Sequence, residues 1–377
     1  MAEQRKVDFL FLITAILLAG IGIVMVYSSS MYFSMERLGD GAYFFKRQAL
    51  RLLIGFLLMM FLAKVNYRGF EKCGFAVFVI GIALLIALLI QKVIGGGGVE
   101  RWLRLGFTSF QPSEFMKIFI IMYLATTLTR MGDRLRQFRN GLLPMIGVIG
   151  LAFALVVVEP DLGTSGLIVM ISFFMLFVAK AKFTHLFLVT APGLAVVTLI
   201  VKTVPYMQKR VELFLEPSKN HQVMQSIIGI GSGGLFGVGV GNSTQKFLFL
   251  PERHTDFVFA IFAEETGLIG STILFILLFF YVARGFKIAA NAPDMYGFLL
   301  ASGLSAMIGM QVLINIAVAI GCIPTTGMTL PFISYGGSSL LLSFIATGML
   351  LNISKQANYE KGLSREFGAR LTRRKVW

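Results

Sequence analysis

The stretch LPERHTDFVFAIFA, residues 250–263, indicates where this chain meets a membrane, because it passes from ionisable side chains directly into an apolar run. Glu252, Arg253, His254 and Asp256 can carry charge, and the apolar run follows at once. This pattern is typical of a helix that enters a membrane from water. An ionisable group at that boundary is costly unless it has a partner or a task, so Asp256 is a functional-site hypothesis.

The composition of the whole chain predicts an all-α polytopic membrane protein. Its 377 residues are 56% hydrophobic and 14% charged, with a mean hydropathy of +0.79. Apolar runs long enough to cross the roughly 30 Å hydrocarbon core recur along it, and helices satisfy their own backbone groups in lipid. The first run, residues 9–27, is too long for a cleaved signal peptide. We expect no disulfide or metal site from the two cysteines and three histidines, given their spacing.

We predict ten transmembrane helices, with both termini in the cytoplasm and a long extracytoplasmic loop, residues 203–256, between the seventh and eighth. Residues 1–354 form the membrane domain in this interpretation, and residues 355–377 form a basic, mobile cytoplasmic tail. The predicted spans are residues 9–27, 45–63, 73–91, 113–129, 142–158, 164–179, 184–202, 257–281, 297–320 and 337–353.

The net charge of +15 has two interpretations, nucleic-acid binding or retention of basic loops at the cytoplasmic face. More than half of the 34 Lys and Arg fall on the face that carries both predicted termini, which favours the second interpretation. No nucleic-acid partner is therefore expected. Most of the 19 Asp and Glu fall on the other side or in the outer half of spans, so we expect the chemistry there.

The long loop contains two amphipathic segments, residues 205–215 and 223–230, which we expect to lie along the membrane surface. Residues 229–241 are rich in glycine but lack the Gly-Lys-Ser/Thr of a phosphate loop, so they predict tight turns instead. Lys246 and Arg253 place two cations near Asp256 in sequence.

A first outer cluster surrounds the predicted start of the fourth span. Pro112 fits the first turn of a helix. Glu114 and Lys117 are three residues apart and can pair. We favour a buried ion pair over a cation facing a substrate phosphate. Arg101 and Arg104 are better phosphate ligands, because a guanidinium can bind phosphate oxygens bidentately.

A second cluster, Glu159-Pro160-Asp161, leaves two interpretations open. The two carboxylates can share a divalent cation, Mg²⁺ or Mn²⁺, since carboxylates are hard ligands. Alternatively, Asp161 can be the N-cap of the following helix.

An uncharged segment, residues 324–339, combines two prolines with many glycines and hydroxyls. Irregular backbone at membrane depth survives only when it is buried in protein or lines a cavity. We therefore predict that this segment, including Ser334 and Ser338, forms one wall of a site. Glu264, two turns below Asp256, is expected to orient neighbouring helices or to bind water in the cavity. The resulting outer cavity suits a substrate with an anionic head and a lipid tail.

Five stretches of the sequence stand out together: RWLRLG (101–106), QPSEFMK (111–117), EPDLGT (159–164), LPERHTDFVFAIFAEETG (250–267) and LPFISYGGSSLL (330–341). They resemble the SEDS family of cell-envelope proteins, and the likeness covers nearly the whole chain. The stretch at residues 237–257 is more similar to the division branch, FtsW and its sporulation relative SpoVE, than to the elongation branch, RodA.

The resemblance implies a peptidoglycan glycosyltransferase that polymerises lipid II at the outer leaflet of the bacterial cell membrane. It also implies a class B penicillin-binding transpeptidase and other divisome proteins as partners. Glu159 stands where the family often has Gln, which weakens a metal site there. The family's essential aspartate maps onto Asp256, and its other motif residues map onto Arg101, Gln111, Glu114, Lys117 and Asp161.

These residues suggest a mechanism in which Asp256 is the general base. Arg101, Lys246, Arg253 or a divalent cation would then neutralise the leaving pyrophosphate. Glu252 and His254 would shape the loop. The alternative is that Thr255 or Asp256 merely caps the eighth span.

Two other classes compete with a polymerase. A lipid II flippase needs a hydrophilic path through both leaflets and often has inverted repeats, whereas here the charges concentrate outside and no repeat is visible. A division scaffold fits the basic tail and long loop but leaves Asp256 without a task.

Overall fold

The computed structural model describes residues 7–94, 101–105, 108–247 and 250–374, with the side chains of residues 104–109 and 359–374 outside the description. Among the described residues the regular secondary structure is helical, apart from a two-stranded hairpin of β1 (Leu103–Leu105) with β2 (Thr108–Phe110). The helices are α1 Phe9–Leu38, α2 Tyr43–Leu62, α3 Arg68–Ile94, α4 Pro112–Met131, α5 Leu143–Val158, α6 Leu162–Val178, α7 Phe183–Thr203, α8 Pro205–Leu215, α9 His221–Ser232, α10 Val258–Ala290, α11 Met295–Ala319 and α12 Gly337–Arg374.

The predicted all-α class is confirmed, and each predicted span overlaps one of these helices. Within the described ranges, eight helices are long and apolar enough to cross a membrane. Two of the predicted spans match helices outside this set: α6 has only 17 residues, and α2 carries Lys46, Arg47 and Arg51 in its first half. The count of ten spans and the position of the long loop stay predictions.

The structure adds detail to the predicted long loop, to the predicted tail and to the segment before α4. The amphipathic segments of the long loop form helices α8 and α9. The basic tail is helical as far as Arg374, because α12 continues without a break beyond the predicted end of the last span. The hairpin before α4 was not predicted.

Helices α4, α11 and α12 form the centre of the bundle. Most of α11 and α12 is buried inside the protein, whereas α7 is almost entirely exposed. The central helices bury polar side chains, among them Gln311 and Asn315 of α11 and Ser339 of α12. A buried polar group is costly unless it is hydrogen-bonded, so these positions indicate where the polar site is built.

Helix α10 is broken at Gly267, where φ is 67° and ψ is −167°. The glycine-rich loop packs its backbone into this break. The amides of Val238 and Gly239 donate to the carbonyls of Glu264 and Glu265 at 3.0 Å. Gly234, Gly237, Gly239 and Gly241 all have positive φ, which confirms the predicted tight turns.

We expect Gly237→Ala to destabilise the protein, because the backbone of Glu265 leaves no room for a methyl group. An added Cβ would lie 2.2 Å from the Glu265 carbonyl oxygen, and φ at Gly237 is 81°. Backbone strain of this kind alone costs about 1–3 kcal/mol. Gly231→Ala is the matched control, since a Cβ there meets no atom within 4 Å. Thermal unfolding in detergent measures both; equal melting temperatures would contradict the packing described.

Candidate functional site

A cavity of about 420 Å³ opens where the hairpin, the starts of α4, α6 and α12, helix α8 and the loop before α10 converge. Its lining is mostly polar and contains carboxylates, guanidiniums and hydroxyls. The lining residues are Arg101, Trp102, Gln111, Glu114, Asp161, Thr164, Arg210, Gln222, Glu252, Thr255, Asp256, Phe257, Val318, Thr325, Gly327, Thr329, Tyr335, Gly336, Ser338 and Ser339.

Asp256 presents its carboxylate to this cavity. A Cβ added at Gly327 would lie 3.8 Å from Asp256 Oδ2 and 3.9 Å from Arg101 Nη1, so the two side chains flank the same point. The backbone of Asp256 is held by α11, because Asn315 Nδ2 donates to the Asp256 carbonyl at 2.8 Å. The N-cap of α10 is Phe257, and no side chain caps the helix. The capping alternative for Thr255 and Asp256 is therefore wrong.

Burial raises the pKa of Asp256 to about 7. The negative charge of Glu252 raises this pKa further, Arg210 and Arg101 lower it, and Asp161 raises it slightly. A carboxyl group with a pKa near neutrality can both accept and release a proton at physiological pH.

Two arginines supply positive charge to the cavity. Arg101 Nη2 donates to the Pro160 carbonyl at 2.6 Å and to the Tyr206 hydroxyl at 3.4 Å. Arg210 Nη1 donates to the Thr325 carbonyl at 2.7 Å, and its guanidinium carbon lies 4.6 Å from the centre of the Tyr206 ring. The sequence did not single out Arg210. The available signal was its four-residue spacing from Tyr206 on the amphipathic helix α8, which places both on one face.

The other two predicted cations do not reach the cavity. Lys246 is buried, donates to the Gly241 carbonyl and lies 3.8 Å from Glu265 Oε1. Arg253 is also buried, donates to the Leu250 carbonyl at 3.2 Å and lies over the ring of Phe33. Both side chains serve the packing of the loop, which corrects their expected position beside a substrate phosphate. Arg104 lies among the side chains outside the description.

Lys117 is also turned away from the cavity. Its Nζ donates to Glu114 Oε1 at 2.9 Å and to Gln311 Oε1 at 3.0 Å, and its side chain is 1% exposed. This is the buried ion pair that the sequence favoured. Glu114 lines the cavity, so the ion pair lies at the floor of the site. Lys117 is therefore not free to bind a phosphate.

Asp161 is the N-cap of α6, as one of its two interpretations predicted. Its Oδ1 accepts from the Thr164 amide at 3.1 Å, and its Oδ2 accepts from Gln111 Nε2 at 3.2 Å and Ser113 Oγ at 3.3 Å. Gln111 thus joins the start of α4 to the start of α6. Its backbone amide donates to Ser338 Oγ at 3.3 Å, which ties both helices to α12.

The contacts of Glu159 and Asp161 do not fit a shared divalent cation. Both oxygens of Asp161 already accept hydrogen bonds, and Glu159 is fully buried with no hydrogen bond from the described residues. Burial, together with the charge of Asp161, raises the pKa of Glu159 to about 8, against the opposing charges of Arg101 and Lys92. A group in this state is a poor metal ligand. Across the described residues, no cluster of three or more His, Cys, Asp or Glu side chains forms a metal site.

The remaining candidates occupy supporting positions. Glu264 accepts from the Thr244 amide at 2.9 Å, from the Thr244 hydroxyl at 2.7 Å and from Ser243, and so holds the loop against α10. Ser334 is buried, where its Oγ accepts from the Leu330 amide, and it does not line the cavity.

Glu252 lies at the cavity edge and accepts from Thr255 Oγ1 at 2.8 Å. The His254 ring contacts the rings of Phe44 and Tyr335. The His254 backbone carbonyl accepts a hydrogen bond from the Tyr335 amide at 2.7 Å. Burial lowers the pKa of His254 to about 4, so the ring is neutral at pH 7. These contacts fix the loop that presents Asp256.

Comparisons with known proteins cover nearly the whole chain. A family model described as "Cell cycle protein", which spans FtsW, RodA and SpoVE, matches residues 8–359. The chain is 41% identical over 363 residues to "Stage V sporulation protein E" of Bacillus subtilis (strain 168), covering 95% of this chain and 99% of that protein. It is 37% identical over 364 residues to "Probable peptidoglycan glycosyltransferase FtsW" of Geobacter sp. (strain M18), covering 94% and 98%.

Solved structures have the same fold. One, described as "Structural coordination of polymerization and crosslinking by a peptidoglycan synthase complex", aligns with a TM-score of 0.77 at 26% identity over 93% of this chain and 98% of that chain. The crystal structure of the rod shape determining protein RodA of Thermus thermophilus aligns with a TM-score of 0.67 at 27% identity and the same coverage. Together with the eight apolar helices, these similarities identify a multi-pass membrane protein.

Proposed function

The chain belongs to the cell cycle protein family of FtsW, RodA and SpoVE. We propose that it is a peptidoglycan glycosyltransferase, which polymerises lipid II at the outer face of the bacterial cell membrane. One observation carries the proposal. The Asp256 carboxylate faces a polar cavity of about 420 Å³ together with two arginines. This combination suits a reaction that removes a proton from a sugar hydroxyl and releases an anionic leaving group.

In the proposed mechanism, Asp256 accepts the proton of the GlcNAc 4-hydroxyl of one lipid II. The hydroxyl oxygen forms a bond to the anomeric carbon of the MurNAc on the second substrate. The bond from that carbon to the pyrophosphate oxygen breaks, with inversion, and undecaprenyl pyrophosphate leaves with the electron pair. Arg101 stabilises the departing charge. A positioned base of this kind contributes about 10²–10⁴-fold.

No step of this mechanism is assigned to a divalent cation, because the contacts of Glu159 and Asp161 do not fit one. Participation of Mg²⁺ or Mn²⁺ stays a prediction, which polymerisation in the presence and absence of EDTA would test.

We propose a septal role for the protein, in division or sporulation, and a class B penicillin-binding transpeptidase as its partner, with further divisome proteins. The identities to "Stage V sporulation protein E" and to an FtsW support this branch. The partner is supported by the likeness to a peptidoglycan synthase complex. Localisation of a fluorescent fusion to septa would support the branch, and lateral-wall localisation would favour an elongation role.

Fluorescent lipid II given to the purified protein, together with its transpeptidase partner, separates the function classes. Glycan ladders support the polymerase. Transfer of lipid II between leaflets without polymer would support a flippase, and neither activity would support a scaffold. The concentration of polar groups in one cavity at one end of the bundle favours the polymerase over a flippase, which needs a path through both leaflets.

We expect the rate of polymerisation to increase with pH through about 7 and then to level off. The base works only when ionised, and Asp256 is protonated below its pKa of about 7. Glu252→Gln should move the midpoint to lower pH, because the charge of Glu252 raises this pKa. Glu212→Gln, which removes an exposed carboxylate of α8 outside the cavity, is the control. Initial rates between pH 5.5 and 8.5 test this; an unshifted midpoint in Glu252→Gln would assign the titration to another group.

A further inference from the structure

We propose that Tyr206 and Arg210 of α8 form, with Arg101, a site that selects a pyrophosphate-linked polyprenyl chain over a monophosphate-linked one. This inference rests on the proposed function and assigns a specificity role to a helix that the sequence placed only at the membrane surface.

Both guanidiniums contact the same tyrosine, Tyr206. The Tyr206 hydroxyl accepts from Arg101 Nη2 at 3.4 Å, while the ring of the same tyrosine lies 4.6 Å from the Arg210 guanidinium carbon. A cation over an aromatic face is attracted by the ring quadrupole. Tyr206 therefore contacts both cations, Arg101 through its hydroxyl and Arg210 through its ring.

Each guanidinium is also anchored by a backbone carbonyl. Arg101 Nη2 donates to Pro160 between α5 and α6, and Arg210 Nη1 donates to Thr325 in the loop after α11. A guanidinium has five N–H donors in a planar fork, so one anchored nitrogen leaves further donors for an anion. Arg101 and Arg210 both line the cavity that contains Asp256.

This arrangement matches two linked phosphates better than one. A pyrophosphate has two adjacent anionic groups, and each can receive hydrogen bonds from one guanidinium. A monophosphate of the same polyprenyl chain has only one phosphate group, so both guanidiniums must share its three terminal oxygens. Hydrogen bonds to a charged group are stronger than those between neutral groups, so we expect the second phosphate to give a preference of about tenfold or more for the pyrophosphate.

Binding can be measured without polymerisation, because Trp102 lines the cavity next to Arg101 and is 42% exposed. The chain has two tryptophans, so a Trp377→Phe background leaves Trp102 as the only indole reporter. Geranylgeranyl pyrophosphate and geranylgeranyl phosphate are the two probes, titrated into the full-length protein in detergent. Calorimetry on the same samples gives the dissociation constants independently of fluorescence.

In the parent we expect the pyrophosphate probe to bind about tenfold tighter than the monophosphate. Arg210→Gln should reduce this preference to about twofold with little change for the monophosphate. Arg210→Lys keeps the charge but loses the planar fork, so it should also lose most of the preference. Lys209→Gln removes a neighbouring exposed charge of α8 and is the matched control, with the preference retained.

Two further variants separate the contacts of Tyr206. Tyr206→Phe keeps the ring under Arg210 and removes the hydroxyl that Arg101 contacts, so an intermediate preference is expected. Tyr206→Leu removes both contacts and should resemble Arg210→Gln.

The inference is overturned if the parent binds both probes equally, if Arg210→Gln keeps the tenfold preference, or if it weakens both probes alike. Fluorescent lipid II supplied to the parent with its transpeptidase partner distinguishes this failure from failure of the proposed function. Absence of glycan ladders with the probe preference intact overturns only the polymerase assignment. Ladders without any probe preference overturn only the pyrophosphate site.

Discussion

Asp256→Asn is expected to reduce the rate of lipid II polymerisation by about 10²–10⁴-fold, because an amide cannot accept the proton of the attacking hydroxyl. Stability should change little. The link between this residue and α11 uses the backbone carbonyl, to which Asn315 donates, and that bond survives the substitution. Glycan ladders from fluorescent lipid II, made in complex with the transpeptidase partner, measure the rate.

Asp256→Glu is the graded comparison for this experiment. It keeps a carboxylate but moves it by one methylene, and a displacement of about 1 Å can cost about 10²-fold. We therefore expect the order parent, Glu variant, Asn variant. Binding of geranylgeranyl pyrophosphate to the Asn variant shows that the cavity is intact. Polymerisation by the Asn variant at close to the parent rate would remove Asp256 from the role of base.

Local chemistry explains which parts of the site could be predicted from the sequence. Pro112 at the start of α4 and Asp161 as the N-cap of α6 depend on neighbours within four residues. The same holds for the pair of Glu114 and Lys117, three residues apart on one helical face. The apolar run after Phe257 fixes the start of α10 in the same local way.

The positions of the Lys246 and Arg253 side chains could not be predicted from the sequence, because they depend on tertiary packing. Glu252 adopts a φ of 51°, which residues with a side chain rarely adopt. Beyond this turn, Arg253 points to Phe33 of α1 while Asp256 faces the cavity. Charge pattern alone does not separate two side chains three positions apart in an irregular loop.

The position of Arg210 could not be predicted from the sequence for a related reason. Its anchor, the Thr325 carbonyl, lies 115 residues away in the chain, so no local spacing indicates that α8 reaches the cavity. An amphipathic helix predicts a surface position, and α8 does carry exposed polar residues. The face that matters for the site is the one with Tyr206 and Arg210, which only the packed structure distinguishes.

The second large effect concerns the floor of the site, where we expect Lys117→Met to destabilise the protein by about 3–5 kcal/mol. The substitution leaves the Glu114 carboxylate without its cation at a position that is 9% exposed. It also removes one partner of Gln311, whose amide donates to the Thr329 carbonyl at 3.0 Å. Thermal unfolding in detergent measures the loss.

The double variant Glu114→Gln/Lys117→Met decides between the two interpretations of Lys117. Replacing both members of a buried pair with neutral side chains of similar volume is often neutral for stability. If Lys117 serves only to neutralise Glu114, the double variant should regain most of the lost stability and, with it, polymerisation. A double variant that unfolds like the parent but makes no glycan would instead show that the charges of the pair act in the reaction and not only in stability. Because Lys117 is 1% exposed and bonded to both Glu114 and Gln311, we expect the first result.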